Sequence, residues 1–296
     1  MTIETVDPSD HRVRDAAEIV QAAALEADGT APFGEQTVLS WTGPDAGDRH
    51  LVIRNPAGRP IGYAHLDAHG TAELAVHPEH RRAGHGRALL ERLQVENERT
   101  TNPPALQVWS HGDQPGGRAL AATTGFQVVR ELLQLRRTLD ATFPGPEPQV
   151  LPAGVSLRAF RPGEDDAAWL DLNARAFAHH PEQGRMTQAD LQARMDEPWF
   201  DPAGFLLAEQ DGVLIGFHWT KIHPEGLGEV YVLGVDPDRH GGGLGRALTR
   251  AGLQYLYDRG LRTVLLYVES DNVPALAVYH RLGFTTWFTD VMYQRP

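Results

Sequence analysis

The chain has 296 residues, room for two domains of ordinary size; 41% apolar and 22% charged residues with a mean hydropathy of −0.36 exclude a disordered or fibrous protein. Cysteine is absent, which excludes disulfides, thiolate metal sites, iron–sulfur clusters and a cysteine nucleophile. The net charge of −12 is drawn from both halves, so neither has the basic face of a nucleic-acid binder.

In chain order, the first half carries a strand, Leu74-Ala75-Val76-His77-Pro78, that runs through Arg81-Arg82-Ala83-Gly84-His85-Gly86-Arg87 into a helix. The segment Asp140–Gly154 holds four prolines and can continue neither a helix nor a central strand. It divides the sequence into an expected N-terminal domain, 1–142, a linker, 143–152, and a C-terminal domain, 153–296. Beyond it, Glu164, Asp165 and Asp166 open a helix whose face is Trp169, Leu172 and Ala176. Thr187 and Asp190 form a capping-box pattern before a short helix, Leu191 to Met195. Strands are predicted from Phe205 to Ala208, Val213 to Thr220 and Glu229 to Val235, the first two joined by a hairpin turn at Asp211-Gly212. After a glycine loop come a helix faced by Leu244, Leu248, Ala251 and Tyr255 and capped near Gly260, then a strand, Thr263 to Glu269. A helix, Pro274 to Leu282, and a last strand, Thr285 to Tyr293, complete the order.

The halves are copies. Leu74 to Leu89 matches Leu233 to Leu248 at an offset of 159 residues, and Gly125-Phe126 matches Gly283-Phe284 at 158. Each copy is a mixed α/β or α+β unit with a glycine loop between strand and helix. Backbone N–H groups at a helix N-terminus suit a pyrophosphate, and glycine permits close approach. Neither a Gly-Lys-Ser/Thr loop nor a G-x-G-x-x-G follows either strand. The His77/His80 and His179/His180 pairs lack the spacing of known metal motifs, so no metal is expected. No apolar run approaches the ~20 residues that cross a bilayer, and the first ten residues lack the regions of a signal peptide, so a cytoplasmic protein without a membrane partner is expected.

Arg-x-x-Gly-x-Gly after Leu-Ala-Val-His-Pro, with a downstream Gly-Phe, resembles motif A of the GNAT N-acetyltransferases. Asn272 to Phe284 resembles the helix and turn that complete their acetyl-CoA site. The resemblance covers nearly the whole chain and implies two tandem domains, each a mixed, mainly antiparallel sheet flanked by helices. Gly34-Glu35-Gln36, His180 to Gly184, Gly216 to Lys221 and Gly228 to Pro237 are similar to the mycothiol synthase family of actinobacteria. The scarcity of lysine, Lys221 being the only one among 27 basic residues, fits a GC-rich genome of that kind. Members of that family acetylate the cysteinyl amine of cysteinyl-glucosaminyl-inositol.

In the second copy the resemblance implies acetyl-CoA contacts at Leu233, Gly234 and Val235, at His240, Gly241, Gly242, Gly243, Leu244, Gly245 and Arg246, and at Asn272, Val273, Pro274, Ala275, Leu276 and Ala277. In the first copy it implies Leu74, Ala75, Val76, Arg82, Ala83, Gly84, His85, Gly86 and Arg87, binding without turnover. His240 departs from the usual Arg or Gln; because backbone N–H groups make the main phosphate contacts, a modest loss is expected. Glu35, Glu182, Lys221, Glu229 and Tyr267 are implied as contacts to the sugar–inositol–cysteine substrate.

Aminolysis of a thioester needs a free amine, a polarised carbonyl and a proton for the departing thiolate. The counterpart of Glu229 at an offset of 159 is Gly70, and that of Tyr279 at 158 is Ala121, so only the second copy holds both proton-transfer groups. Glu229 is the expected base and Tyr279 the expected acid. A rim carboxylate and a core aromatic are their plain alternatives. A GNAT acting on another amine, an aminoglycoside or a protein N-terminus, and a non-catalytic acetyl-CoA-binding module remain open. A monomer is expected.

Overall fold

The computed structural model describes residues 2–6, 11–41, 47–140, 143, 151–178, 183–240 and 242–295. The elements are β1 (Thr2–Val6), α1 (His11–Asp28), α2 (Glu35–Ser40), β2 (Arg49–Arg54), β3 (Pro60–Leu66), β4 (Thr71–Val76), α3 (His85–Glu98), β5 (Gln107–Ser110), α4 (Pro115–Thr124) and β6 (Gln127–Thr138). There follow β7 (Val155–Ala159), α5 (Asp166–Ala176), α6 (Gln188–Met195), β8 (Phe205–Gln210), β9 (Val213–Ile222), β10 (Gly228–Val235), α7 (Leu244–Asp258), β11 (Thr263–Glu269), α8 (Val273–Arg281) and β12 (Thr285–Gln294).

Two compact units form, Met1–Leu133 with Phe288–Pro296, and Gln134–Trp287. Their boundaries differ from the expected 1–142 and 153–296. The last strand, read from sequence as the end of the second copy, pairs antiparallel with β5 in the first unit, Val291 opposite Ser110 and Gln294 opposite Gln107. The second unit is completed instead by the end of β6, beside β11. Strand periodicity fixes which face a residue takes but not which neighbour its backbone pairs with, so sequence alone placed β12 in the nearer copy. Of the proline-rich linker, residues 144–150 lie outside the described residues.

In the first unit the sheet order is β1-β2-β3-β4-β5-β12. Leu51 and Ile53 of β2 point to the cluster with Leu89 and Leu93 of α3, while Val52 and Tyr63 point to Val13, Ala17 and Val20 of α1. Both faces are covered, which is why these strands read as nearly continuous apolar runs.

In the second unit the order is β6-β11-β10-β9-β8-β7, mainly antiparallel. One face packs against α5 and α6 through Trp169, Leu172 and Leu191; there Trp219 stacks on Phe205 at 4.4 Å and meets Trp169 edge-on. The capping box before α6 forms as expected, Thr187 accepting from the Asp190 amide. Asp211 and Gly212 both adopt positive φ, 52° and 76°, the left-handed pair that a tight hairpin between β8 and β9 needs.

The other face packs against α7 through Leu244 and Leu248. Here His218 is fully buried, its Nδ1 2.7 Å from the Leu248 carbonyl, and burial pushes its imidazole down to about 4, so it is neutral. Gly252 lets α7 approach it: a Cβ there would lie 2.1 Å from His218 Cε1. Gly252→Ala is therefore expected to cost at least about 3 kcal/mol despite alanine's better helix propensity, read as a lowered urea midpoint. An unchanged midpoint would contradict this packing.

Candidate active site

The glycine loop of the second unit begins where β10 ends. Asp236 accepts from the Asp238 amide and pairs with Arg175, fixing the turn at the strand end. His240 turns back, its Nε2 3.2 Å from the Val235 carbonyl. Its counterpart Arg81 bonds the Val76 carbonyl at 3.0 Å in the same way. The residue opening this motif thus braces the strand end in both copies, and histidine suffices for that. Gly243 takes a left-handed φ of 81° as the N-cap of α7, with no side-chain cap. The first-turn amides of Leu244, Gly245 and Arg246 then point outward without intrahelical acceptors, beside the positive end of the helix. Gly242 lies in the same turn; Gly241 lies outside the described residues.

Strands β10 and β11 run parallel from Gly228↔Val264 to Val230↔Leu266, and their described pairing stops there. Leu233, Gly234 and Val235 continue along β9 only, leaving the other backbone edge open to a ligand. At the far side of this opening Asn272 caps α8 by accepting from the Ala275 amide, and Val273, Pro274, Ala275, Leu276 and Ala277 form its first turns.

Register brings three of the expected substrate residues to one sheet face. Glu229 lies directly opposite Lys221 on β9 and opposite Leu265 on β11, and Tyr267 follows Leu265 by two residues. This is the face of Trp219, covered by α5 and α6. Glu229 is buried at 6% exposure. Its Oε2 lies 2.7 Å from Nε2 of His223, a residue that sequence reasoning passed over because nothing marks a histidine in the β9–β10 turn. Lys221 Nζ lies 4.5 Å from the Trp199 ring and 5.1 Å from Tyr231, an aromatic platform that also went unread. Tyr267 is 43% exposed and accepts from Gln134 Nε2 at 2.7 Å. Glu35 opens α2 in the first unit; Glu182, with His179 and His180, lies outside the described residues.

Tyr279 is buried on α8, edge-on to Phe284 at 5.8 Å, and burial pushes its phenol up to about 12. Among the described residues its hydroxyl makes no hydrogen bond, so it can donate to a ligand. It and Glu229 do not bond each other. Replacing His223 by Ala is expected to lower kcat about 10- to 100-fold with KM for acetyl-CoA unchanged, and His223→Gln, which keeps a donor, to recover part of it.

The first unit repeats the plan around a cavity of about 650 Å³. Leu74, Ala75, Val76, Arg82, Gly84, His85, Gly86 and Arg87 line it, and Ala83 does not. Ala121 takes the place of Tyr279: Phe126 and Phe284 donate to Ala121 and Tyr279 through matching 3.0 Å backbone bonds. The expected counterpart of Glu229 is corrected. A bulge at Tyr231 adds one residue to β10, so Glu229 corresponds in register to Thr71, one residue beyond Gly70.

This unit does bury a carboxylate two residues on. Glu73 accepts from the Gly34 amide at 3.0 Å, and its Oε1 lies 2.7 Å from His111 Nε2. His111 Nδ1 lies 3.1 Å from Asp290 Oδ2, and Gly112 donates to Asp290 Oδ1 at 2.6 Å. Burial opposes charge on His111, but the Glu73 and Asp290 carboxylates outweigh it and raise the imidazole to about 10. Burial likewise opposes charge on Glu73, and His111 holds its carboxyl below the usual range. The raised histidine pKa contributes stability that is complete below pH ~6.5 and is lost as pH rises towards 10. The melting temperature of wild type is expected to fall over that window, and that of His111→Gln to fall less.

The Acetyltransferase (GNAT) family model matches residues 167–284, and an Acetyltransferase (GNAT) domain model matches 46–127. The chain is 54% identical to the mycothiol acetyltransferase of Salinispora arenicola, covering 99% of this chain and 95% of that protein. It is 56% identical to that of Salinispora tropica, covering 92% and 90%. Among solved structures, a tandem GNAT protein from the clavulanic acid biosynthesis pathway superposes with a TM-score of 0.76 at 22% identity, over 99% of this chain and 97% of that one. The helix-terminus loops, the parted parallel strands and the duplication are thus those of acetyl-CoA-dependent N-acetyltransferases, and the chain belongs to the mycothiol acetyltransferase family of tandem GNAT enzymes.

Proposed function

We propose that the second unit transfers the acetyl group of acetyl-CoA to the cysteinyl amine of cysteinyl-glucosaminyl-inositol, giving mycothiol. The observation that carries this reading is Glu229, buried opposite Lys221 and held by His223 beside the point where β10 and β11 part. The pyrophosphate of acetyl-CoA lies against the amides of Leu244, Gly245 and Arg246, with α8 on the other side. Backbone N–H groups of Leu233 to Val235 polarise the thioester carbonyl.

An α-amino group titrates near ~7.7–8.0, so a carboxylate, directly or through one water, has little work to do in freeing the amine. Glu229 takes that proton. Tyr279, kept protonated by burial, donates a hydrogen bond to the thiolate as it leaves. A polyhydroxyl acceptor suits the rest of the face, where Lys221 donates, Glu229 accepts and Tyr267 does either; Glu35 and Glu182 remain acceptors that the family resemblance implies. The first unit binds a second acetyl-CoA without turnover, having Ala121 where the acid would be and Glu73 tied to His111.

The test is to incubate purified protein with acetyl-CoA and cysteinyl-glucosaminyl-inositol and follow the N-acetylated product by mass spectrometry. Product formed faster than with an aminoglycoside or a peptide N-terminus supports the reading. No product, with acetyl-CoA still bound, assigns the enzyme another acceptor.

A further inference from the structure

Away from the acetyl-CoA loops, on the α1 face of the first unit, two buried histidines stand side by side. His50 on β2 is the cross-strand partner of His65 on β3, and their ring centroids are 5.2 Å apart. Asp48, immediately before β2, brings Oδ2 to 3.0 Å from His65 Nε2. One ligand atom from each of the three lies within 4.8 Å of the others. We propose that Asp48, His50 and His65 bind a divalent transition-metal ion of the zinc class.

The hydrogen-bond inventory points the same way. Thr37 Oγ1 lies 2.9 Å from His65 Nδ1 and fixes that ring, so that Nε2 faces the Asp48 carboxylate. With Nδ1 placed on Thr37, Nε2 and a carboxylate oxygen 3.0 Å apart can take one metal ion together. That spacing suits zinc, whose bonds of about 2.0–2.1 Å in a tetrahedron separate neighbouring ligands by about 3.3 Å.

His50 is oriented by the same device. Its Nδ1 lies 2.7 Å from the Tyr63 hydroxyl, itself fixed by Trp41 Nε1 at 3.0 Å, which leaves Nε2 as the ligand atom. A hydroxyl on the outer nitrogen of each histidine sets the ring angle as the outer shell of a metal site does. Two imidazoles disfavour magnesium and calcium, which take oxygen ligands. Both histidines are buried, while the Asp48 side chain is 12% exposed, giving the ion a way in from solvent. The ligands lie on adjacent strands, 15 residues apart in sequence, so no linear motif announces them. Through Thr37 the ion would fix α2, two residues from Glu35.

The test uses full-length protein without a histidine tag, stripped with chelator and titrated with zinc by calorimetry and with cobalt by visible absorption. His50→Asn and His65→Asn each keep a nitrogen where Nδ1 stands and remove the ligand atom. His80→Asn alters the half-buried His77/Glu79/His80 group and serves as control. One tight equivalent is expected, with four-coordinate cobalt bands and a raised melting temperature. The first two variants should weaken it more than about 100-fold, and His80→Asn should leave it intact. Asp48→Asn, on the rim, gives the same reading should a buried substitution unfold the unit. Wild type binding zinc no tighter than His50→Asn, or binding lost only in His80→Asn, would overturn the proposal.

Discussion

Glu229→Gln is expected to lower kcat by about 10²–10⁴ at neutral pH while acetyl-CoA binds as before. The amide keeps the size of the side chain and can still bond His223, so the sheet and loop are undisturbed and only proton acceptance is removed. The deficit should narrow towards pH 9, where an amine of pKa near ~8 is already free in solution. A structural role for Glu229 would give no such recovery. Tyr279→Phe is expected to cost less, about 10- to 100-fold, because the hydroxyl contributes a hydrogen bond to a developing charge rather than a full proton transfer. Steady-state kinetics with a separate acetyl-CoA binding isotherm distinguish the outcomes. Full turnover in both variants would remove Glu229 and Tyr279 from the mechanism.

Ending the chain at Trp287 is expected to abolish folding of the first unit. The nine residues removed include Val291, Met292 and Tyr293, all buried, which supply the strand beside β5. At roughly 1.5–3 kcal/mol for each apolar side chain, the loss approaches or exceeds the whole stability of an ordinary domain, about 5–15 kcal/mol. It also leaves His111 without Asp290. Likewise a fragment starting at Ala153, the boundary that sequence suggests, lacks the part of β6 that belongs to the second unit. Circular dichroism and limited proteolysis would read both; a cooperative, protease-resistant melt of either fragment would contradict the exchange.

Much of this was legible in the sequence, because repetition and period are local properties. The duplication, the strand–loop–helix order, the capping box at Thr187 and the strand from Thr263 to Glu269 follow from patterns a few residues long. What was not legible depends on which strand lies beside which. The bulge at Tyr231 changes the partner of Glu229 in the duplication without changing any motif. His223 reaches Glu229 only because a turn folds back, and His50 meets His65 only across a ladder. Each needs register, which hydrophobic alternation constrains to a face and not to a neighbour.

The exchanged strand also sets a timetable. A ribosome emits the chain from its N-terminus, and the 154 residues of Gln134–Trp287 are made before the strand that closes the first unit. At 5–20 residues per second that interval lasts about 8–30 s. Until then β5 presents an unpaired edge, a template for any passing extended segment. Nascent first halves on neighbouring ribosomes are therefore each other's hazard, and the organism has reason to keep them occupied by a chaperone or by the cofactor-sized ligand their cavity accepts.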